Sequence, residues 1–396
     1  MILNERQSLP NEQQSGPAEA ETPLPAPLPL AGVSVLDFSN LLPGPLASLL
    51  LADAGADVVK VERPGAGDEI RGFPPAFGST GGNFALLNRG KHGLTADLKD
   101  EGDRAHVRQL ALSADVLIEQ FRPGVMERLG FGYEELFREN PRLVYCSITG
   151  YGQTGDRAQK AGHDLNYMAE TGLLGLTRGA DGAPVLPPVL AADIAGGAYP
   201  AVMNILLALT RRQASGRGCR LDVAMSDNLF TLAYWGLAGG HAGQWPKPAG
   251  ELLSGGSPRY QVYRTADGKY LAAAPLEERF WQVFCERIGL PAAERDDARD
   301  PDATRARVAG LIARRTAEDW RTIFAGADAC VCLAASLEEA AADPAFHERG
   351  LFRRSVSDGA ARMPALPLPI DEHLRDQTLS RGFPGQGARR TGWSPP

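Results

Sequence analysis

From residue 33 onward the chain alternates short, mostly apolar runs with helix-like stretches, and this rhythm restricts its possible folds more than any other feature. Val33–Phe38, Asp57–Glu62 (with Val-Val-Lys-Val inside it), Val116–Glu119 and Leu143–Ile148 each read as a strand. Between them, Pro45–Ala54 reads as a helix that Pro-Gly-Pro opens and Gly55 closes. Residues 101–113 form a charged helical stretch, and another short helix follows Pro123. Strands without polar alternation are buried on both faces, as in a parallel sheet covered by helices. The expected fold class is therefore α/β, with a Rossmann-like parallel sheet forming a large domain over residues 29–238.

The later chain changes character. Residues 193–212 read as a helix apolar nearly all round, with Pro200 either kinking it or marking its true first turn. Strand Cys219–Ala224 and helix Ser226–Leu237 follow, and residues 239–254, rich in Gly, Pro and Ser, read as a linker. A smaller α+β domain is expected over 255–335, from the hairpin Tyr260–Arg264 and Lys269–Ala274 and helices near 276–289 and 302–326. Residues 336–396 are expected to return to the large domain, and residues 1–28, rich in Pro, Glu and Gln, to form a disordered leader. No stretch reads as apolar enough to span a membrane, and the N-terminus lacks a signal-peptide core.

The net charge of −7 argues against nucleic acid as a partner. The five cysteines are scattered and lack metal-ligand spacing, so no metal site is expected. Cys330 and Cys332, in Ala-Cys-Val-Cys-Leu, alternate like a strand and read as buried thiols. Reduced thiols fit a cytoplasmic protein.

Three sets of residues are candidates for chemistry. The loop Asn40-Leu-Leu-Pro-Gly-Pro lacks the three glycines of a dinucleotide fingerprint, which disfavours nicotinamide binding despite Glu62 at a plausible distance. Lys60, Arg63, Arg89, Lys91 and Arg122 gather at the ends of the early strands. They read either as solvated charges or as a site for a phosphate-bearing ligand, since α/β ligands bind at the carboxyl ends of strands. His163 stands between Gly162 and Asp164, whose side chain is expected to cap the helix that begins there. Thirty positions later, Asp193 precedes Ile-Ala-Gly-Gly. Each reads either as a structural residue at a helix start or as half of an acid–base pair.

Several segments in order resemble one family. They are Leu51-Ala-Asp-Ala-Gly-Ala-Asp-Val-Val-Lys-Val-Glu-Arg-Pro64, Asn88-Arg-Gly-Lys91, Leu94-Thr-Ala-Asp-Leu-Lys99, Ala114-Asp-Val-Leu-Ile-Glu and Arg122-Pro-Gly-Val125. Thr149-Gly-Tyr-Gly152, Gly255-Gly256, Ala266-Asp-Gly-Lys-Tyr270 and Asp328-Ala-Cys330 continue the series. The chain resembles the family III CoA-transferase superfamily, most closely the α-methylacyl-CoA racemase branch. The resemblance implies an acyl-CoA substrate, no cofactor beyond the coenzyme A it carries, and an interlocked homodimer with each active site shared between two chains. On this likeness His163 and Asp193 are the acid–base pair and Glu277 the glutamate that orients the imidazole, with Glu278 the weaker choice. Backbone N–H groups near Ala195 and Gly196 would steady an enolate, and the basic cluster, Arg63 foremost, would hold CoA phosphates. The transferases of the superfamily use an aspartate at the position of Asp193 as nucleophile, so CoA transfer between carboxylic acids is the alternative.

Overall fold

The computed structural model describes residues 27–179 and 181–394, so the expected leader lies outside the described residues apart from its last two. Six strands form one parallel sheet: β1 (Ser34–Asp37), β2 (Asp57–Glu62), β3 (His92–Thr95), β4 (Val116–Glu119), β5 (Val144–Thr149) and β6 (Cys219–Ala224). Their spatial order is 3-2-1-4-5-6, with every neighbouring pair parallel. In such a sheet the chain winds outward in both directions from the β1–β4 seam, and a crevice opens there beyond the carboxyl ends of the strands.

Both faces are covered, as the apolar strands required. Val35, Val116 and Ile118 pack against helix α1 (Pro43–Asp53) and the helix that contains Ala201, Ile205 and Leu209. Leu36 and Leu117, one position out of phase, pack against Val107, Leu110 and Ala111 of helix Glu101–Ser113. Alternate residues of one strand thus feed two cores. Strand β3 had no sequence signature: His-Gly-Leu-Thr is short and contains a glycine.

The apolar helix begins with a π-helical turn, Ala192–Ala198, and runs on as an α-helix, Tyr199–Ser215. Pro200 offers no N–H, and its ring would crowd the carbonyl one turn back; the widened turn accommodates both. Contrary to the expectation from sequence, Ala192–Ser215 is long and apolar enough to cross a membrane by length and composition, with a mean hydropathy of 1.4 in its most apolar window. Half of that window is buried inside the protein.

Two expected helices are each broken in two. Residues 226–237 divide into Met225–Leu229 and Tyr234–His241 around a tight turn. Residues 302–326 divide into Pro301–Ile312 and Ala317–Phe324, because Thr316 caps the second helix by accepting the Asp319 N–H at 3.2 Å.

The smaller unit is a three-stranded antiparallel sheet, β7 (Gln261–Arg264), β8 (Tyr270–Ala273) and β9 (Val331–Leu333), with β8 in the centre. Trp281, Phe284 and Trp320 fill its separate core. Cys330 and Cys332 are exposed, which corrects the buried reading. Val331 and Leu333 turn toward the core, so the alternation sends both thiols the other way.

The last segment lies along the outer edge of the large sheet. Thr95 N–H donates to the Ala388 carbonyl at 2.8 Å, Arg390 pairs with Asp57 at 2.7 Å, and Asp376 N–H donates to the Asp53 carbonyl at 2.7 Å. This covers an edge strand that would otherwise present unpaired backbone groups.

Candidate active site

The loops leaving β1, β4 and β5 meet residues 158–167 and the start of the π-helical turn around a cleft of about 450 Å³. His163, Asp193, Arg122 and Lys160 line it, together with Asn40, Gln120 and Tyr167. An adjoining hollow of about 240 Å³ shares Asn40 and Phe121 with the cleft and is lined by Arg63 and Lys99. Both open beyond the carboxyl ends of β1 and β4, where the strand order predicts a ligand.

His163 immediately precedes helix α2 (Asp164–Glu170), and its backbone N–H donates to Asn166 Oδ1 at 3.0 Å. Beneath it the Tyr167 hydroxyl donates to the Gly162 carbonyl at 2.6 Å. A side chain at Gly162 would stand 2.8 Å from the Tyr167 ring, so the flanking glycine is what lets the histidine loop rest there. Asp164 does not cap its own helix. Buried, it reaches the other segment, where its Oδ1 accepts the N–H groups of Ala192 at 2.6 Å and Asp193 at 3.0 Å. One carboxylate thus ties the His163 loop to the backbone that carries Asp193.

The Asp193 carboxyl is pushed up to about 6, by burial first and by the Asp164 charge second, with His163 pulling it down. A carboxyl titrating there exists in both forms near neutral pH. The neighbouring backbone is already committed. The N–H groups of Ala192 and Asp193 are taken by Asp164, and that of Ile194 by the Leu190 carbonyl at 3.0 Å. Gly196 serves packing, since a Cβ there would lie 2.5 Å from the Met225 carbonyl oxygen. The first three N–H groups of this segment are therefore not free donors of the kind that the sequence suggested.

The model of CoA-transferase family III matches residues 30–390. The chain belongs to this family. Alpha-methylacyl-CoA racemase from Homo sapiens is 36% identical over 346 residues, 86% of this chain and 87% of that protein. Acetyl-CoA:oxalate CoA-transferase from Acetobacter aceti is 33% identical over 368 residues, 89% of this chain and 93% of that protein. A crystal structure of a CAIB/BAIF family protein from Brucella suis superposes with a TM-score of 0.78 at 30% identity, covering 91% of this chain and 97% of that one. Racemases and CoA-transferases both stand among the relatives, so the reaction must be argued from the site.

Within the family framework, the basic cluster needs correction. Lys60 is fully buried, bonded to the Ser39 carbonyl at 2.6 Å and paired with Asp68 at 3.0 Å. Lys91 is buried against the Pro45 carbonyl and Asn88 Oδ1, both at 2.8 Å, with Asp37 at 3.5 Å; burial brings its pKa down to about 7. Arg89 is buried against Asp53 at 2.8 Å, and Arg354 binds the same carboxylate. These three answer buried carboxylates, because a buried charge without a partner is costly. Arg89 and Lys91 line neither the cleft nor the hollow, and Lys60 borders the hollow with its ammonium already spent on Ser39 and Asp68. Arg63 stays exposed in a 3.2 Å surface pair with Glu69, and Arg122 is exposed at the cleft.

Glu277 is exposed at the start of helix Glu278–Ile288 in the smaller unit, and it does not line the cleft of its own chain. Glu278 is engaged by Arg259 at 2.7 Å. The sequence reading missed Lys99, Lys160, Asn40 and Gln120. Lys99 and Lys160 carry the charge signature of the others, but the two amides carry no signature beyond their place after β1 and β4.

Proposed function

We propose that the protein is an acyl-CoA racemase or epimerase that inverts the α-carbon of a 2-methyl-branched acyl-CoA by 1,1-proton transfer. The observation that carries this reading is His163 and Asp193 lining one cleft, with Asp193 held near 6. One group removes the α-proton to leave an enolate, and the conjugate acid of the other returns a proton to the opposite face. An aspartate with an ordinary pKa would be a poor acid at neutral pH; burial and Asp164 bring Asp193 into a range where it serves either way. Arg63 and Lys99 at the smaller hollow and Arg122 at the cleft are the cations suited to CoA phosphates.

The active unit in this reading is a homodimer. An apolar face remains exposed on the long helix, with Met203 at 57% and Leu207 at 63%, alongside Leu186 and Val189 on the segment leading to Asp193. Monomers rarely leave such a surface uncovered. A second copy covering it would also supply Glu277 of the partner subunit to orient His163; among the described residues no glutamate of the same chain lines the cleft.

The alternative is CoA transfer with Asp193 as nucleophile, which the transferase relatives favour. Incubating a 2-methylacyl-CoA with the protein in deuterated water separates the two. Deuterium at the α-carbon together with loss of optical activity is expected, and both are abolished in His163→Ala with CoA binding retained. No incorporation, with CoA passed to an added carboxylic acid, defeats the racemase reading.

A further inference from the structure

We infer that Asn40 is a catalytic residue whose side-chain N–H donates to the thioester carbonyl oxygen of the bound acyl-CoA; this rests on the proposed acyl-CoA substrate. Proton removal beside a thioester builds negative charge on that oxygen, and donors must already be aimed at it. The backbone at Ala192–Ile194 is spent on Asp164 and Leu190. A side-chain donor without such a commitment stands at the β1–β4 seam.

Asn40 follows β1 and Gln120 follows β4, so the two amides meet across the point where the sheet divides. The N–H of Gly44, in the first turn of α1, donates to Gln120 Oε1 at 3.1 Å. That contact decides which end of the Gln120 amide is oxygen, since a backbone N–H only donates. Gln120 Nε2 then donates to Asn40 Oδ1 at 3.2 Å. With Oδ1 occupied as acceptor, Asn40 Nδ2 is left as a donor, and no acceptor for it occurs among the described residues. Asn40 lines the cleft that holds His163 and Asp193 and also the adjoining hollow.

The turn that displays Asn40 is built to stay in place. A Cβ at Gly44 would stand 2.1 Å from Ser39 Cβ and 2.7 Å from Gln120 Oε1, so glycine is what lets the turn and that amide close up. Leu41, next to Asn40, has a φ of +59°, a left-handed conformation that a side-chain-bearing residue keeps only when its surroundings enforce it. Its N–H donates to Asp68 Oδ1 at 3.1 Å, and Asp68 is paired with buried Lys60, itself bonded to the Ser39 carbonyl. The buried cation that was expected to hold a phosphate instead pins the turn on either side of Asn40. A neutral amide also leaves the proton inventory of His163 and Asp193 unchanged.

The test uses the full-length protein and a 2-methylacyl-CoA labelled with ¹³C at the carbonyl. In the wild type the bound carbonyl resonance is expected to move downfield from its free position. In Asn40→Ala the downfield movement is lost while affinity changes little, and kcat for whichever turnover the wild type shows falls roughly 10²–10³-fold. Asn40→Asp, similar in size but without the donor when ionised, should lose the shift as well. A resonance that moves equally in wild type and Asn40→Ala, or does not move in the wild type, overturns the inference. A wild type that fails to exchange its α-hydrogen defeats the racemase reading alone, because the carbonyl shift still decides the role of Asn40.

Discussion

Asp164→Asn removes one negative charge and almost nothing else, which makes it the cleanest probe of how Asp193 is tuned. The asparagine keeps an oxygen able to accept the N–H groups of Ala192 and Asp193, now at 2.6 and 3.0 Å from Asp164 Oδ1. Asp193 is raised from 3.8 to about 6, by burial first and by Asp164 second. Burial is the larger cause and the Asp164 charge the second, so removing that charge should lower the Asp193 pKa by an amount on the order of one pH unit, or about 1.4 kcal/mol. Without it the Asp193 anion forms more easily, so its pKa falls. Racemisation requires one member of the His163–Asp193 pair unprotonated, and the acid limb of kcat/KM marks the pH at which that last base is lost. In Asp164→Asn this limb should therefore move to lower pH by up to about one unit. The assay is α-deuterium exchange followed from pH 4 to 8, with CoA affinity and the unfolding midpoint measured in parallel. An acid limb that stays in place, or moves upward, in a variant that folds and binds CoA normally would refute the reasoning.

Three further outcomes follow from buried and exposed charges. Glu119 is buried and pushed up to about 7, chiefly by burial, with Ser147 and the Phe121 N–H offsetting part of it. Its folded pKa exceeds its unfolded one, so the stability it contributes is present in acid and lost as pH rises through about 7; Glu119→Gln should gain up to about 3 kcal/mol on the wild type between pH 5 and 8 by urea denaturation, and parallel profiles would count against this. Asp53→Ala strands both Arg89 and Arg354 in the interior and should cost about 3–5 kcal/mol, with earlier proteolysis of the C-terminal segment that Arg354 anchors. Arg63→Ala breaks an exposed pair with Glu69 and one hydrogen bond to the Gly67 carbonyl, so its unfolding free energy should hold within about 2 kcal/mol while CoA binding, measured by calorimetry, weakens and loses part of its salt dependence. Unchanged CoA affinity would remove Arg63 from the phosphate site.

The parallel sheet was legible because Val35, Leu36, Val116 and Leu117 are apolar on both faces, and two-sided burial leaves few other arrangements. Strand order was not, since adjacency of β3 to β2 depends on pairing between His92–Thr95 and Val59–Glu62 rather than on either segment alone. The same divide runs through the site. His163 and Asp193 drew notice because small residues flank each at an expected helix start, whereas the role of Asp164 depends on backbone N–H groups twenty-eight and twenty-nine residues away. A local reading assigns a helix-start aspartate to its own helix, and here the fold reassigns it. Lys60, Arg89 and Lys91 show the limit most clearly. Sequence gives the sign of a charge but not the carboxylate facing it, and the answering Asp68, Asp53 and Asp37 look unremarkable where they stand. Asn40 and Gln120 have no charge to draw notice. What would have flagged them is topology: once the first strand is placed at the division of the sheet, the residues just beyond it and just beyond its outer neighbour must border the ligand. A site of this kind is best sought by first locating the strand seam and only then asking which side chains there are charged, neutral or already spoken for.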